Sequence, residues 1–479
     1  MIKLTHLELL TPILQQYDER DLVLAISLAL NPPLIRSNYS QCLTKSRGRG
    51  LPPQPEKVVL DEKKIASQLR CRNPLAIYLA TDEVISLLPY SVLRELRDLE
   101  TKERGEALEL LLTWSRKIDE VRAGLKPFDV DDFHAEDDKK ERILLLLPSE
   151  KQLKTVEGHW TEWVWSPRTL HGEKAPSLEG WLTDLVGLAE ALRDEGVEVV
   201  FVTNVGDEEI LLERVGRTYN YLAVDMPHDK AKIGYVRDQS VTWLRHPIMC
   251  NMALDIRSGE EPVLNEVYWK LGIPPVFRPR WSKINETVER AVLEGGNLIL
   301  AKGDEGAVLF TGVGVRGTNM AAIKAISKIL PAEISIYAVP LSGYIKNWRE
   351  TGSAHLDVAM LYGGKIDGWK IMFIDPARIG FYFVLRYQPS DNLFTPEKLS
   401  QIAEKLGITI DEPPRGTASK ITIINALNLG KGKLVVDPYN EDVNKYLEQE
   451  GGFDLVRVPI PQLDAGGGGV RCSTRELIA

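Results

Sequence analysis

The sequence has few cysteines, and none is spaced like a disulfide or metal motif. Its 479 residues contain four, Cys42, Cys71, Cys250 and Cys472, without any Cys-x-x-Cys pair. This pattern argues against a disulfide-stapled scaffold and against a cysteine-rich zinc site. It favours a reducing compartment.

Long apolar runs are also missing. No stretch of about eighteen apolar residues occurs, so we expect no membrane span. The opening residues, MIKLTHLELLTPILQQYDERD, lack a charged segment followed by an uninterrupted apolar stretch. We therefore expect no signal peptide and a cytoplasmic location.

Positive charge is not in excess. Lys and Arg number 59 and Asp and Glu number 68, which gives a net charge of −9. A protein whose main partner is nucleic acid normally carries a basic surface, so we expect no nucleic-acid partner. The basic stretch 36–57 is interpreted as solvated surface, and the acidic balance is compatible with a cationic substrate.

The chain divides into three parts by pattern. Residues 1–125 form a mostly helical accessory region of unknown role, because apolar residues such as Leu96 and Leu111 recur at helical spacing among charges. Residues 126–141 are mostly polar or charged and are predicted to be a linker. Residues 142–479 are predicted to form the catalytic domain.

Strand-like and helix-like patterns alternate in this third part, which predicts an α/β fold. Helices are expected near 178–196, 318–330, 395–406 and 440–451. Strands are expected at runs such as VEVVFVTN, GNLILAK, GAVLFTG, ISIYAVP, WKIMFIDP and KLVVDP, and also at 233–244, 355–364 and 420–425. No strict repeat is present, although the alternation would suit several similar β/α units around an axis.

Two segments contain residue types suited to nucleophilic and acid–base chemistry. Four glycines, 466–469, lead to Cys472. A thiol at the end of such a loop could lie near backbone N–H groups that favour the thiolate, or it could be an inert buried thiol. His355 and Asp357, two residues apart in a predicted strand, would face the same side and could bind a ligand and move protons.

Two further carboxylates interrupt apolar patterns. Glu294 ends a stretch that looks helical and precedes Gly295 and Gly296, which a simple helix C-cap would also explain. Asp238 follows Arg237 in a predicted strand, where an ion pair at the strand edge is the plainer interpretation.

Together, the thiol, the histidine and the three carboxylates suit one substrate class. A guanidinium group is planar, cationic and rich in N–H donors, so several carboxylates hold it well. Its carbon is a poor electrophile, and attack on it needs a strong nucleophile such as a thiolate and a proton for the departing nitrogen.

At these residues the sequence resembles the arginine deiminase branch of the guanidino-group-modifying enzymes. The resemblance covers roughly 142–479 and rests on four motifs in the family's order: VRD at 236–238, EGGN at 294–297, HLD at 355–357 and GGGGVRC at 466–472. It implies the pentein fold, a five-bladed α/β propeller.

The resemblance also implies residue roles. Cys472 would be the nucleophile and His355 the general acid and base. Asp238 and Asp357 would hold the guanidinium and help to move protons, and Glu294 would complete the cage. No metal or organic cofactor is implied.

Two arginines, Arg257 and Arg316, fall where the family places ligands for the substrate's α-carboxylate. The sequence also differs from the family pattern at two positions. Gly467 stands where bacterial arginine deiminases commonly have an arginine, and Lys232 stands where an asparagine is usual.

The expected reaction is hydrolysis of L-arginine to L-citrulline and ammonia through a covalent S-alkylthiouronium on Cys472. Three alternatives remain open at this point. These are an amidinotransferase that uses an amine acceptor, a deiminase of another guanidino compound such as agmatine, and a binding protein without activity. Homo-oligomerisation also stays open.

Overall fold

A computed structural model gives the three-dimensional structure of most of the chain. The described residues are 7–36, 57–125, 129–153, 176–216, 218–230, 232–253, 257–304, 306–314, 318–341, 355–366, 368–376, 378–379, 383–413 and 425–478. The predicted strand at 420–425 lies outside them except for its last residue, and Arg316 lies outside them entirely.

The N-terminal part is mostly helical, as its apolar spacing predicts. Its elements are α1 (Leu10–Leu14), α2 (Glu19–Leu30), β1 (Leu34–Arg36), β2 (Val58–Leu60), α3 (Glu62–Gln68), α4 (Pro74–Ser86), α5 (Tyr90–Lys102) and α6 (Arg104–Ala123). Asp18 caps α2 by accepting the N–H of Asp21 at 2.8 Å.

The rest of the chain alternates strands and helices, which confirms the predicted α/β class. In chain order, the elements are β3 (Arg142–Leu146), α7 (Leu178–Asp194), β4 (Glu198–Asn204), α8 (Glu208–Val215), β5 (Asn220–Val224), β6 (Ser240–Val241), β7 (Ile248–Met249), α9 (Glu261–Lys270), β8 (Trp281–Ile284), β9 (Thr287–Arg290), β10 (Leu298–Gly303), β11 (Gly306–Val313), α10 (Met320–Ser327), β12 (Ile334–Pro340), β13 (Met360–Ile366), β14 (Trp369–Ile374), β15 (Phe383–Gln388), β16 (Leu393–Lys398), α11 (Leu399–Lys405), β17 (Ile408–Asp411), β18 (Leu427–Gly430), β19 (Lys433–Val436), α12 (Glu441–Gln449), β20 (Asp454–Arg457), α13 (Pro461–Ala465) and β21 (Arg475–Leu477).

One arrangement recurs five times among these elements. Two antiparallel strands are followed by a helix and by a third strand parallel to the second, the pairing that a helical crossover permits. Unit 1 is β21-β3-α7-β4, unit 3 is β10-β11-α10-β12, unit 4 is β13-β14-α11-β17 and unit 5 is β18-β19-α12-β20. Unit 2 is β6-β7-α9, and its third strand is represented by Phe277, which pairs in parallel with Ile248 of β7. Unit 1 joins the C-terminal strand to the first strand of the catalytic region.

The N-terminal region shares a hydrophobic core with unit 1. Alternate residues of β3 face opposite sides, so Leu144 and Leu146 pack with the N-terminal helices while Ile143 and Leu145 pack with α7. The short strands β1 and β2 also join β9 and β8 in one sheet. The accessory region is therefore packed against the catalytic region through both a core and a sheet.

The charged segment that was predicted to be a linker is packed over its described part, 129–141. Phe133 is 1% exposed, and the N–H of His134 donates to the carbonyl oxygen of Trp243. The Lys140 ammonium donates to the carbonyl oxygens of Ala135, Glu136 and Asp138. Some of its charges, such as that of Lys140, therefore make buried polar contacts, which composition alone does not distinguish from those of a solvated linker.

Three local predictions were wrong. Residues 236–239 and 356–358 form 3₁₀ helices where strands were expected, and the residues before Glu294 form strand β9 and an extended segment where a helix was expected. In each case hydrogen bonds to distant parts of the chain replace the regular pattern. Within the described residues, no helix is both long and apolar enough to cross a membrane.

Candidate active site

The candidate site gathers one short segment from each of the five units. Each segment immediately precedes the first strand of its unit: Asp238 before β6, Glu294 before β10, Asp357 before β13, Asn425 before β18 and Cys472 before β21. The 3₁₀ helices at the first three positions touch one another in chain order. Equivalent positions in similar units thus converge on one place.

His355 lies between two buried carboxylates. Its Nε2 hydrogen-bonds Oε2 of Glu294, and its Nδ1 is 3.4 Å from Oδ1 of Asp238. Asp238 and Glu294 are only 2% and 3% exposed. The N–H of Ala253 fixes Glu294 by donating to its Oε1 at 2.7 Å.

This arrangement favours a protonated histidine. Burial alone would lower the pKa of His355, but Asp238 and Glu294 outweigh it and raise the pKa to about 9. Burial opposes ionisation of Asp238 as well, yet His355 and Arg257 together hold its pKa below the usual value. At neutral pH the imidazolium can therefore donate a proton.

The two glycines after Glu294 make room for this pair. A Cβ on Gly296 would lie 2.7 Å from Oδ1 of Asp238 and 2.8 Å from Nδ1 of His355. A Cβ on Gly295 would collide with the backbone oxygen of Arg237. The glycines are thus required by the close approach of Asp238, His355 and the backbone of Arg237, and the helix C-cap interpretation was wrong.

Cys472 and Asp357 form the second half of the cluster. The thiol Sγ is 3.8 Å from Oδ2 of Asp357, which also accepts Nη1 of Arg471 at 2.8 Å. Asp357 is 1% exposed, and its Oδ1 has no hydrogen-bond partner among the described residues. A buried acceptor of this kind is costly unless a donor reaches it.

The thiol is neutral in this state. Burial, with Asp357 and Asp238 nearby, raises the pKa of Cys472. Burial also raises the pKa of Asp357, although Arg471 beside it acts in the opposite direction. A cation would favour ionisation of both groups.

Sequence reasoning missed the residues that hold this half in place. Arg471 donates to Glu136 through Nη2 at 2.6 Å and through Nε at 3.2 Å. Asn425 Oδ1 accepts the N–H of Cys472 at 3.1 Å. The N–H of Arg237 donates to the Cys472 carbonyl oxygen at 3.1 Å, so Arg237 braces the cysteine loop and does not pair with its neighbour in sequence.

Arg257 reaches the same cluster. Its Nη1 donates to Oδ2 of Asp238 at 2.6 Å, its Nη2 donates to Oε2 of Glu260 at 2.8 Å, and it is 4% exposed. It therefore binds two carboxylates of the protein, and its role as a ligand for a substrate carboxylate stays a prediction. The same holds for Arg316, which lies outside the described residues.

The two departures from the family pattern lie side by side. A Cβ built on Gly467 would be 3.4 Å from Nζ of Lys232, and Gly467 has a φ of +88°, which favours glycine. Lys232 is 6% exposed. A buried ammonium thus lies next to the position where the arginine is missing.

This set of groups can perform acid–base and nucleophilic chemistry. It combines a thiol, a protonated histidine and carboxylates that include one buried, unpartnered acceptor. In the described part of the chain, no group of three or more His, Cys, Asp or Glu side chains has the arrangement of a metal site.

No protein-family model matches the sequence, and no curated protein matches it. Several solved structures are similar. The N-terminal domain of ArgZ, an arginine dihydrolase from the ornithine-ammonia cycle in Cyanobacteria, was solved as a mutant bound to substrate. It is 14% identical with a TM-score of 0.45, over 70% of this chain and 97% of that domain.

Two further structures are similar to the same extent. A mutant of DDAH from Pseudomonas aeruginosa, in complex with citrulline, is 14% identical with a TM-score of 0.44, over 71% of this chain and 100% of that one. SxtG, an amidinotransferase from Microseira wollei in the saxitoxin biosynthetic pathway, is 15% identical with a TM-score of 0.45, over 72% and 96%.

The similarity of this chain to these three structures is one of fold. With TM-scores of 0.44 to 0.45 and identities of 14 to 15%, they establish neither an activity nor a residue role for this chain. The case for a function therefore rests on the chain's own side chains.

Proposed function

We propose that this protein is a guanidino-group hydrolase that converts L-arginine and water to L-citrulline and ammonia, with Cys472 as its nucleophile. The observation that supports this most strongly is the thiol of Cys472, 3.8 Å from a buried carboxylate whose second oxygen has no partner in the described part of the chain. The five ββαβ units agree with a five-bladed propeller, which we propose as the architecture of residues 142–479.

The substrate guanidinium would donate to Oδ1 of Asp357. Guanidinium groups of the protein already bind two carboxylates of the cluster, Arg257 on Asp238 and Arg471 on Asp357. The geometry of these carboxylates therefore suits the planar donor fork of a guanidinium. A guanidinium at Oδ1 would also lie within reach of the sulfur.

The covalent step would begin when Sγ of Cys472 attacks the guanidinium carbon. The thiol proton passes to Asp357, whose pKa burial raises. His355, protonated at neutral pH, gives its proton to the departing nitrogen. The carbon–nitrogen bond breaks, ammonia leaves, and an S-alkylthiouronium remains on the sulfur.

Hydrolysis would reverse these roles. His355, now neutral, takes a proton from a water molecule, and the resulting hydroxide attacks the same carbon. The carbon–sulfur bond then breaks, the hydroxyl group of the adduct loses its proton to solvent, and the ureido product leaves. The thiolate regains its proton from Asp357. Neither half-reaction requires a metal or an organic cofactor.

The α-carboxylate of arginine requires a cation, and Lys232 supports this part of the proposal. Its ammonium group lies beside Gly467, so it could bind the α-carboxylate in place of the arginine that the family commonly has at that position. Agmatine has no carboxylate, so it would form no ion pair with this ammonium group.

The test is product analysis with three mixtures: arginine alone, agmatine alone, and arginine with glycine. Citrulline and ammonia from arginine are the expected products. A ureido product from agmatine would identify agmatine as a substrate. Guanidinoacetate from the third mixture would show that the reaction is amidino transfer and not hydrolysis. No product in any mixture would favour a binding protein.

The variant Cys472→Ser should abolish turnover, while Cys71→Ser, at a half-buried thiol in the N-terminal region, should leave it unchanged. Near-normal turnover by Cys472→Ser would refute the mechanism.

A further inference from the structure

A cavity of about 230 Å³ lies between the N-terminal region and the catalytic region. Arginines dominate its polar lining. Arg36 and Arg97 come from the N-terminal side, and Arg278, Arg280 and Arg290 come from the catalytic side. Neither the candidate active site nor its proposed reaction uses any of them.

The cavity has a strong excess of positive charge. Its described lining carries five arginines and one carboxylate, that of Glu261. Glu261 accepts Nη2 of Arg278 at 2.7 Å. Nη2 of Arg280 lies 3.3 Å from Oδ1 of Asp82, a residue that does not line the cavity. Arg97 is exposed and makes no ion pair with any residue that the structure describes.

The other walls are apolar. Leu30, Ile85, Leu93 and Trp281 line the same space. Guanidinium groups bind phosphate and carboxylate in a bidentate manner, and an apolar wall with a few converging polar groups is typical of small-molecule sites. We propose that this cavity binds a small metabolite with several phosphate or carboxylate charges, as an effector site separate from the catalytic cluster.

A short chain segment connects the cavity to the catalytic cluster. Oε1 of Glu261 also accepts the N–H of Met252 at 3.0 Å. The next residue, Ala253, donates its N–H to Oε1 of Glu294 at 2.7 Å. An anion that competes with Glu261 for Arg278 therefore acts on the segment that positions Glu294.

Isothermal titration calorimetry on the full-length protein tests the binding. The probes are inorganic phosphate, pyrophosphate and citrate, with sodium chloride at matched ionic strength as the blank. Tighter binding of pyrophosphate indicates a phosphate ligand, and tighter binding of citrate indicates a carboxylate ligand. No binding by any of the three overturns the proposal.

A matched pair of variants on α5 locates the site. Arg97→Gln removes a lining charge, whereas Arg94→Gln removes an exposed charge that pairs with Asp225 and does not line the cavity. We expect Arg97→Gln to weaken binding roughly tenfold and Arg94→Gln to leave it unchanged, because only the first removes a charge-assisted hydrogen bond. Equal loss in both variants would indicate a non-specific charge effect and overturn the proposal.

A separate measurement tests the connection between the cavity and the catalytic cluster. Because linkage is reciprocal, the Kd of the bound probe should change when a saturating guanidinium ligand occupies the catalytic cluster. An unchanged Kd would contradict the effector role, and this binding measurement does not depend on any catalytic activity.

Discussion

Binding of a guanidinium cation should lower the pKa of the Cys472 thiol. Burial and two nearby carboxylates raise the pKa of this thiol, so it is neutral in the ligand-free protein. A cation that donates to Asp357 neutralises one of those carboxylates and places a positive charge next to the sulfur. The substrate would thereby activate the nucleophile that attacks it.

The size of the effect follows from the geometry. The sulfur is 3.8 Å from Oδ2 of Asp357. A guanidinium on the same carboxylate that is placed for attack would have its carbon about 3 to 3.5 Å from the sulfur. At an effective dielectric constant of about 20, a unit charge about 4 Å away stabilises the thiolate by about 4 kcal/mol. This energy corresponds to a fall of roughly three pH units in the midpoint of thiol ionisation.

The assay is a titration of thiolate absorbance in the ultraviolet, with and without a saturating small guanidinium ion. Subtraction of the Cys472→Ser signal isolates this thiol from Cys42, Cys71 and Cys250. Calorimetry on the same samples establishes that the ligand is bound. If the ligand binds and the midpoint of Cys472 does not move, the placement of the guanidinium beside the sulfur is refuted.

Three other predictions concern the surroundings of the cluster. Folding raises the pKa of His355 from 6.5 to about 9, so its protonation stabilises the fold fully at pH values below 6.5. This contribution, up to about 3 kcal/mol, is lost as pH rises through about 9. His355→Gln should flatten the pH dependence of urea unfolding above neutral pH, and an unaltered dependence would contradict the pairing. Asn425→Ala should lower kcat about tenfold with little change in KM, because the amide orients Cys472 and not the substrate; a change confined to KM would argue against this positioning role. Glu136→Gln removes one of the two carboxylate partners of the buried Arg471, the other being Asp357, and should cost about 3 kcal/mol in urea unfolding. Glu141→Gln, at an exposed ion pair, should change little. Similar costs for both would show that the Glu136 pair is not a buried one in solution.

The regular elements of the catalytic region could be predicted from the sequence because their signals are local. Continuous apolar runs in β10 and β11 and helical spacing in α7 and α12 depend on residues a few positions apart. The 3₁₀ helices at Asp238 and Asp357 could not be predicted in this way. Their geometry depends on contacts with other units, such as the hydrogen bond from Gly296 to Asp238 across 58 positions.

The residues that support the site could not be predicted from local sequence patterns for the same reason. Glu136 lies among other charges, and nothing nearby in sequence indicates that it binds Arg471, which is 335 positions away. Asn425 did carry a usable signal. It directly precedes a strand, as Asp238 and Cys472 do, and comparison of equivalent positions in the five units would have identified it.

The charge balance of the cluster explains why a cation is the fitting ligand. In the described part of the chain, two arginines each join a central carboxylate to an outer one, and His355 lies between two central carboxylates. The carboxyl groups are Asp238, Glu294, Asp357, Glu136 and Glu260, and the cations are Arg257, Arg471 and His355.

Five carboxyl groups face three cations, so full ionisation would leave buried negative charge. Burial raises the pKa of Asp357, and it raises that of Glu260 to about 7 even beside Arg257, so a proton on Glu260 offsets part of this cost. A guanidinium supplies the missing positive charge together with donors for the unpartnered oxygen of Asp357. Its binding should therefore release protons, which ties recognition of the cation to ionisation of the groups that attack it.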